Sequence, residues 1–303
     1  MNNVKFSMEL GNQFNNYLQL QDYVLLLQDL GYYAIYYDDA LHWAGFECWS
    51  ILTAIAENTQ KIRMGPSMSF FSYRHPVLLA KSAATVDIVS GGRLEFRVGA
   101  GDIGVRNDSR RFGTSFPSPT KRVCQLREGL EIIKSLWCDE ITSFNGKSYN
   151  LLEASVLPIP VQKPTPPFTI AGEGAKMLEL CVDHANVWES SNTDHISYER
   201  MVLEINGICK KKSIDTNKLG RSLEVFVALN NNKNNMEKIV RNHAELMGLS
   251  IDDPWINRWL IGGVESCRKF FEDFVNLGVR EFVIVPITDD LKWFTEKFSS
   301  EII

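Results

Sequence analysis

The chain has 303 residues, of which 45% are hydrophobic and 23% are charged, and its formal net charge is -5. This composition gives a globular protein enough apolar material for a large core and excludes a disordered chain. The sequence has no strongly basic block, which argues against a nucleic-acid partner.

No stretch of the chain approaches the roughly 18 consecutive apolar residues of a membrane span. The first residues, MNNVKFSMELG, lack the basic and apolar regions of a secretory signal. We therefore expect a cytoplasmic protein without a membrane partner. The cysteines form no CxxC pair and the histidines no HExxH motif, so no metal site is predicted.

Apolar periodicity and turn residues predict alternating strands and helices. The predicted strands cover 4–9, 33–37, 61–66, 94–99, 167–171, 186–190, 222–229 and 280–285. The predicted helices cover 18–30, 46–58, 75–90, 121–137, 174–184, 194–211, 235–247 and 263–277. Because β/α units with right-handed crossovers in this number close naturally into a barrel, the pattern predicts the α/β class and a (β/α)8 TIM barrel, as one domain over 1–303.

Two segments do not fit a minimal barrel and are predicted to be insertions. Residues 103–120 are polar and rich in turn formers, which indicates a loop. Residues 139–166 contain FNGKSY, which predicts a hairpin, and LPIPVQKPTPP, which predicts an extended proline-rich return. Since barrel active sites lie at the C-terminal ends of the strands, we expect both insertions to cover that mouth.

Polar and small residues follow several of the predicted strands at the end where a barrel carries its chemistry. They are Glu9, Asp38, Asp39, Ser67, Met68, Ser69, Gly99, Gly101 and Asp102. A carboxylate at a strand end can act as a general acid or base, and it can equally well cap the next helix. For Glu9 and Asp38 the sequence leaves both interpretations open.

The segment AGEGAK places Gly172, Gly174, Ala175 and Lys176 between a predicted strand and the first turn of a helix. Free amides at a helix N-terminus and a lysine suit a phosphate group, although the same residues also make an ordinary strand-to-helix turn. The absence of GxxxxGK[ST] argues against a P-loop nucleotidase, and the absence of GxGxxG after the first strand argues against a Rossmann dehydrogenase.

Several blocks in a fixed order carry a resemblance to a known family. They run from about residue 4 to residue 285 and include VKFSMEL, MGPSMSFFSYRHPVLLAKSAATVDIVSGGRLEFRVGAGD, REGLEIIKSLW, FNGKSY, LPIPVQKPTPPFTIAGEGAK, HANVWES and GVREFVIV. The sequence resembles the bacterial luciferase-like monooxygenase and reductase superfamily. Within it, the sequence looks most like methylenetetrahydromethanopterin reductase and related enzymes that use the deazaflavin coenzyme F420.

The resemblance implies a cofactor ring at the C-terminal mouth of the barrel, backed by a bulge at the end of the third strand. It implies a non-prolyl cis peptide at Ser67–Met68 in this bulge and a cofactor phosphate held by the 172–176 segment. It implies catalytic roles for Glu9, Asp39 and Asp102. Cofactor contacts are expected from Asp38, Ser67, Met68, Ser69, Gly99, Gly101, Gly172, Gly174, Ala175 and Lys176.

The same resemblance implies an oxidoreductase that transfers a hydride between F420 and a small organic substrate. The reductases suggest a one-carbon pterin, reduced from methylene to methyl. One alternative is an FMN-dependent monooxygenase acting on a small organic molecule, and another is a non-catalytic flavin-binding barrel. The resemblance also implies a homodimer or a larger homo-oligomer.

One position departs from the family pattern. The family commonly has Asp-His after the second strand, whereas this chain has Asp38-Asp39. Either Asp39 takes the place of the histidine with different proton chemistry, or His42 moves in, or the substrate differs from that of the familiar members.

Overall fold

The computed structural model describes residues 3–41, 45–229 and 233–303. The strands in these residues are β1 (Lys5–Leu10), β2 (Ala34–Tyr37), β3 (Arg63–Pro66), β4 (Ser69–Phe70), β5 (Phe96–Gly99), β6 (Thr142–Asn145), β7 (Asn150–Ala154), β8 (Phe168–Ala171), β9 (Val187–Ser191), β10 (Gly220–Leu229), β11 (Leu260–Gly262) and β12 (Glu281–Pro286). The helices are α1 (Tyr17–Asp29), α2 (Cys48–Asn58), α3 (Pro76–Val89), α4 (Ile103–Phe112), α5 (Pro119–Cys138), α6 (Ala175–His184), α7 (His195–Lys212), α8 (Lys233–Leu246), α9 (Val264–Asn276) and α10 (Leu291–Ile302).

The main sheet is parallel and closes into a barrel. Its strand order is β3-β2-β1-β12-β10-β9-β8-β5-β4, with the short β11 paired to β10 outside this path. Because β3 and β4 are successive parts of one strand position, the two ends of this order meet. A bridge between Met64 and Leu94 also joins β3 to the residues just before β5. With β3 and β4 counted together, this is the predicted (β/α)8 TIM barrel.

The interior of the barrel contains a buried ionic network instead of a purely apolar filling. Arg97 on β5 donates from Nη2 to both carboxylate oxygens of Glu189 on β9, at 2.7 and 2.6 Å. Its guanidinium carbon lies 3.6 Å from the ring centroid of Tyr36. Glu281 on β12 accepts hydrogen bonds from the hydroxyls of Tyr36 and Ser7, at 2.6 and 2.7 Å. The network therefore links strands around most of the barrel.

Apolar side chains form a main core between the barrel and its helices, where helix faces pack on the outer faces of the strands. A second apolar cluster is separate from this core and lies around the C-terminal end of β10. Its buried members are Phe226, Ala228, Met236, Ile239, Val240, Ala244, Ile256, Trp259 and Ile287. The residues from α8 to β11 thus fold over the end of β10 on a core of their own.

The first insertion differs from the sequence prediction. Residues 103–112 form α4 and not a loop, with Asp102 as its N-cap and Gly113 in the left-handed region at its C-cap, with φ 70°. Periodicity did not indicate this helix because it is short and has few apolar residues, among them Val105 and Phe112. The second insertion agrees with the prediction, because β6 and β7 pair as an antiparallel hairpin. The Glu128 carboxylate accepts hydrogen bonds from the backbone amides of residues 147–149 in its turn.

Two further elements were not predicted. The helix α10 follows the last barrel strand and buries Phe294, Phe298 and Ile302, one turn apart. The strand β11 has three residues, which is too short for an alternation to be recognised. Within the described ranges no helix is both long enough and apolar enough to cross a membrane.

Candidate active site

The centre of the mouth is the junction between β3 and β4. The peptide bond between Ser67 and Met68 is cis, as predicted. Beside it, the Ser67 hydroxyl donates a hydrogen bond to Oε2 of Glu9, at 2.6 Å. This contact joins the first and third strand positions of the barrel and brings the predicted catalytic residue Glu9 next to the predicted cofactor contact Ser67.

Glu9 lies on the inward face of the barrel, near two other carboxyl groups of the mouth, those of Glu224 and Asp38. On β1, Ser7 points inward to Glu281, and Glu9 follows it by two residues on the same face. On β10, Ser222 points inward to Oε2 of Glu189, so Glu224 also faces the mouth. Asp38 follows β2 and is held in place by its own amide, which donates to the carbonyl oxygen of Leu10.

Sequence reasoning missed Glu224. Glu224 lies inside the predicted strand 222–229, whereas the site residues of a barrel are expected at strand ends. The signal was the alternation of Ser222, Glu224 and Phe226, which puts two polar side chains on one face of a strand. In the structure β10 continues past the level of the mouth, so a residue in its middle lies at the site.

These carboxyl groups hold their protons more tightly than isolated ones. Burial raises the pKa of Glu9 well above its ordinary value, and the charges of Glu224 and Asp38 raise it further, against the Ser67 hydrogen bond. Burial raises the pKa of Asp38 to about 7, and it raises the pKa of Glu224 to about 7 with help from Glu189. The mouth can therefore hold a proton near neutral pH.

Asp39 occupies a different environment. It is 3% exposed, and its Oδ2 accepts hydrogen bonds from Ser69 Oγ at 2.8 Å and from Arg74 Nη1 at 2.5 Å. The Trp49 indole donates to the same Ser69 oxygen, at 3.0 Å. Burial raises the pKa of Asp39 to about 6, while Arg74 lowers it. Asp39 thus holds β4 against the loop after β2. Its catalytic role stays a prediction, and His42 lies outside the described residues.

Asp102 is exposed and caps α4 by accepting a hydrogen bond from the Val105 amide at 3.1 Å. Its charge adds to the burial that raises the pKa of Asp38, so the two carboxylates lie near one another. The turn that presents Asp102 is held by Arg122, which donates from Nε to the carbonyl of Ala100 at 2.9 Å and from Nη2 to that of Gly101 at 3.3 Å. No sequence pattern indicates this role for Arg122.

Gly99, the last residue of β5, lies against the bulge. A Cβ at this position would meet the Phe70 ring at 3.3 Å and the Met68 Cβ at 3.7 Å. The absence of a side chain at Gly99 therefore leaves room beside Met68 at the mouth.

The N-terminus of α6 is open. Gly174 is the N-cap residue and no side chain caps the helix, while Gly174, Ala175 and Lys176 are exposed. Gly172 packs closely behind them, because a Cβ there would lie 2.9 Å from the Cβ of Met177. The neighbouring Glu173 carboxylate is occupied by the hydroxyls of Ser190 and Thr193, at 2.7 and 2.5 Å. The amides of the first turn are thus available to an anion.

The structure thus brings the predicted carboxylates, the cis bulge and the open helix N-terminus to the C-terminal ends of the strands. Among the residues that the structure describes, no group of histidine, cysteine, aspartate and glutamate side chains is placed to hold a metal ion. The fold and the site define a TIM barrel whose mouth combines carboxyl groups of raised pKa with an uncapped helix N-terminus.

The family model described as luciferase-like monooxygenase matches residues 4–249. The chain belongs to this family of enzymes. The match covers the barrel from β1 to α8, including every residue of the site described above.

Individual relatives match the chain at low sequence identity and over about half of its length. The chain is 28% identical over 160 residues to an F420-dependent glucose-6-phosphate dehydrogenase of Amycolatopsis mediterranei, which covers 50% of this chain and 47% of that protein. It is 30% identical over 187 residues to a 5,10-methylenetetrahydromethanopterin reductase of Archaeoglobus fulgidus, covering 59% of this chain and 51% of that protein. The chain thus spans about half the length of these curated relatives.

A solved structure extends the likeness in fold to the whole chain. An F420-dependent secondary alcohol dehydrogenase, in complex with an F420-acetone adduct, superposes with a TM-score of 0.86 at 16% sequence identity. The superposition covers 99% of this chain and 98% of that one.

Proposed function

We propose that this protein is an F420-dependent oxidoreductase that transfers a hydride between the deazaflavin and an organic substrate. The observation that carries the proposal is the meeting of three features at one mouth: the cis bulge at Ser67–Met68, the Glu9 carboxyl bonded to Ser67, and the open N-terminus of α6. The two relatives described above, one of them F420-dependent by name, support it.

The residues at the mouth fit a phosphorylated deazaflavin. An uncapped helix N-terminus with exposed Gly174, Ala175 and Lys176 offers amide donors and one cation to a phosphate. Ser67, Met68, Ser69, Gly99, Asp38 and Gly101 would lie around the ring. F420, when bound, supplies or accepts the hydride.

Glu9 is proposed to carry the proton that accompanies this chemistry. Among the described residues its hydrogen bond comes from Ser67 at Oε2, so Oε1 remains open to a ligand. Burial and the neighbouring carboxylates raise the pKa of Glu9, which favours its protonated form and suits a proton donor. Asp102 lies near Asp38, and Asp39 is bound to Arg74 in the neighbouring loop.

The substrate that we propose is a one-carbon pterin, reduced from methylene to methyl. The Archaeoglobus relative, a methylenetetrahydromethanopterin reductase by name, supports this choice. We also propose that the chain works as a homodimer or a larger homo-oligomer in the cytoplasm. Light scattering coupled to size exclusion measures the oligomeric state directly, and a monomeric mass would contradict that part.

Titration of the purified protein with F420 and, separately, with FMN tests the cofactor. We expect micromolar affinity for F420 and negligible binding of FMN. The reverse preference would overturn the proposal in favour of an FMN-dependent monooxygenase. Binding of either cofactor without any turnover of candidate substrates would favour a non-catalytic flavin-binding barrel.

Charge reversal at the helix N-terminus tests the phosphate contact. Lys176→Glu should weaken F420 binding about tenfold or more, because it replaces a charge-assisted contact with repulsion. Lys210→Glu, on the exposed last turn of α7, is the matched control and should leave the affinity unchanged. Equal affinities of the two variants would remove Lys176 from the cofactor site.

A further inference from the structure

Glu189 binds the buried cation Arg97 inside the barrel. Nη2 of Arg97 donates to both carboxylate oxygens of Glu189, at 2.7 and 2.6 Å, and neither side chain reaches solvent. The Ser222 hydroxyl donates to Oε2 of the same carboxylate at 2.7 Å. Burial opposes the charge of Arg97, but the charge of Glu189 keeps the pKa of the guanidinium above its ordinary value. The interior of the barrel therefore contains a permanent cation.

The pairing of the strands places Glu189 between Arg97 and the mouth. Arg97 on β5 pairs with Thr169 on β8, and Thr169 pairs with β9 at the residue that lies two before Glu189. On its other side, Glu189 pairs with Ser222 on β10, two residues before Glu224. Two residues advance a strand by about 7 Å and return to the same face. Glu189 therefore lies one inward-facing step above Arg97 and one step below Glu224.

Arg97 has N–H groups that it could offer to another carboxylate. Its Nε and Nη1 are buried and have no hydrogen-bond partner among the described residues. Its charge already acts on Glu224: burial and the charge of Glu189 raise the pKa of Glu224 to about 7, while the Ser191 hydroxyl and Arg97 lower it. A guanidinium bonded directly to Glu224 would favour the ionised form of this carboxyl group much more strongly.

The other groups around Glu224 are carboxyl groups and one hydroxyl. Ser191 Oγ donates to its Oε1 at 2.7 Å, and the charge of Asp38 raises its pKa. Glu9 lies near it as well, because after burial the charge of Glu224 does most to raise the pKa of Glu9. Arg97 is the one cation among these groups. Its position therefore decides whether Glu224 is attracted into the ionised form.

A contribution to stability does not by itself account for the ion pair. A guanidinium has five N–H groups, and those on Nε and Nη1 of Arg97 lack partners in the described part of the chain. Such groups add to the cost of burying the charge, and apolar residues of similar volume are often as stabilising as a buried ion pair. The pair of Arg97 with Glu189 thus suggests a role at the carboxyl groups above it.

We propose that Glu189 is a positioning residue: it holds Arg97 below the mouth and keeps this cation from pairing with Glu224, so that Glu224 can hold a proton beside Glu9. The inference rests on the proposed function, in which Glu9 donates a proton, and it adds a residue that acts through Arg97 without touching the cofactor or the substrate.

NMR titration of protein labelled at the glutamate carboxyl carbons tests this inference on the protein without cofactor. The Glu224 signal is assigned by its absence from Glu224→Gln, and its pKa should be about 7 in the wild type. In Glu189→Gln this pKa should fall to about 5, because the released Arg97 pairs with Glu224. In Arg97→Met/Glu189→Gln no cation is released, and the pKa should stay near its wild-type value.

Glu95→Gln is the matched control. It also breaks a buried ion pair, that of Glu95 with Arg63 near the N-terminal ends of the strands, and should leave the pKa of Glu224 unchanged. A merely structural role of Glu189 would lower stability without moving this pKa. A Glu224 pKa above about 6 in Glu189→Gln, or an equal fall in Glu95→Gln or in the double variant, would overturn the inference.

If Glu189→Gln alone does not fold, the double variant with Arg97→Met decides. Titration of its Glu224 at about pH 4, as in an exposed glutamate, would overturn the inference, because the charge of Glu189 would then be what raises the pKa. The F420 titration separates the inference from the proposed function. Binding of F420 with an unmoved Glu224 titration in Glu189→Gln overturns the inference alone. The expected titrations without F420 binding overturn the proposed function alone.

Discussion

The neighbours of Glu9 determine its pKa and its orientation. The same side chain on an open surface would be ionised at neutral pH, but here burial and the negative charges of Glu224 and Asp38 favour its protonated form. Ser67 orients it from one side through Oε2. A fixed position and a raised pKa both suit the general acid that we propose Glu9 to be.

Glu9→Gln keeps the shape of the side chain and removes its acid. We expect F420 affinity to stay nearly unchanged and turnover to fall by about 10²-fold or more, the usual contribution of a positioned general acid. Steady-state kinetics with a separate cofactor titration measures both quantities. Turnover at the wild-type rate would exclude Glu9 from the mechanism.

The raised carboxyl pKa values also predict how stability depends on pH. An unfolded carboxyl group releases its proton near pH 4, whereas Asp38 and Glu224 keep theirs up to about pH 7 in the fold. Between these pH values the native state binds more protons, so the contribution of both groups to the free energy of unfolding falls as the pH rises. Urea unfolding at pH 5 and pH 8 should show a smaller loss of stability in Glu224→Gln than in the wild type. Identical losses would contradict the raised pKa of Glu224.

For single residues, the sequence predicts where a side chain lies better than it predicts what the side chain binds. Glu9, Asp38 and Asp102 could be placed at the mouth because each directly follows or ends a strand. The ion pair of Asp39 with Arg74 could not be predicted, since it depends on how the loops after β2 and β4 approach one another. Glu224 could not be placed because the level of the mouth along β10 is set by how the strands are staggered in the closed barrel.

Among the elements, α5 shows how one small residue fixes a neighbouring segment. A Cβ at Gly129 would lie 2.3 Å from the ring of Phe71, which is buried just after β4. The helix and the segment that follows the cis bulge therefore pack in direct contact. Apolar periodicity predicts α5, whereas α4 is too short and too poor in apolar residues for the same pattern to be recognised.

Two glycine-to-alanine variants distinguish the effect of close packing on stability from the effect of helix propensity. Gly129→Ala should lower the free energy of unfolding by about 1–3 kcal/mol, because the added methyl group overpacks a buried contact. Gly207→Ala, in the middle of α7, meets no atom within 4 Å and should raise it by about 0.5–1 kcal/mol. Urea unfolding measures both changes, and a stabilised Gly129→Ala would contradict the close packing of Phe71.

For the molecule as a whole, the buried network around Arg97 joins the strands of the closed barrel. Glu189 is 1% exposed and would remain as an unpaired buried charge without Arg97. Arg97→Met should therefore cost about 3–5 kcal/mol of stability. The double variant Arg97→Met/Glu189→Gln removes the stranded charge and should recover part of this loss in urea unfolding. A cost below about 1 kcal/mol for the single variant would show that the pair is dispensable.

The architecture was predictable because strict alternation of strands and helices leaves few topologies open. The count of barrel strands, the crossovers and the hairpin at 142–154 followed from periodicity and turn residues. The interior network was not predictable in this way, since Tyr36, Arg97 and Glu281 are distant in sequence and meet when the sheet closes.

The second apolar cluster separates one side of the mouth from the strands that carry the carboxyl groups. The closed sheet sets the positions of Glu9, Asp38 and Ser67, because each lies on or next to a barrel strand. Trp255 instead belongs to a segment that packs on its own core over the end of β10. Because the segment has its own core, we expect substitutions in it to disturb the barrel strands little. We therefore expect the segment over the end of β10 to vary in sequence with the substrate, while the carboxyl groups on the barrel strands stay the same.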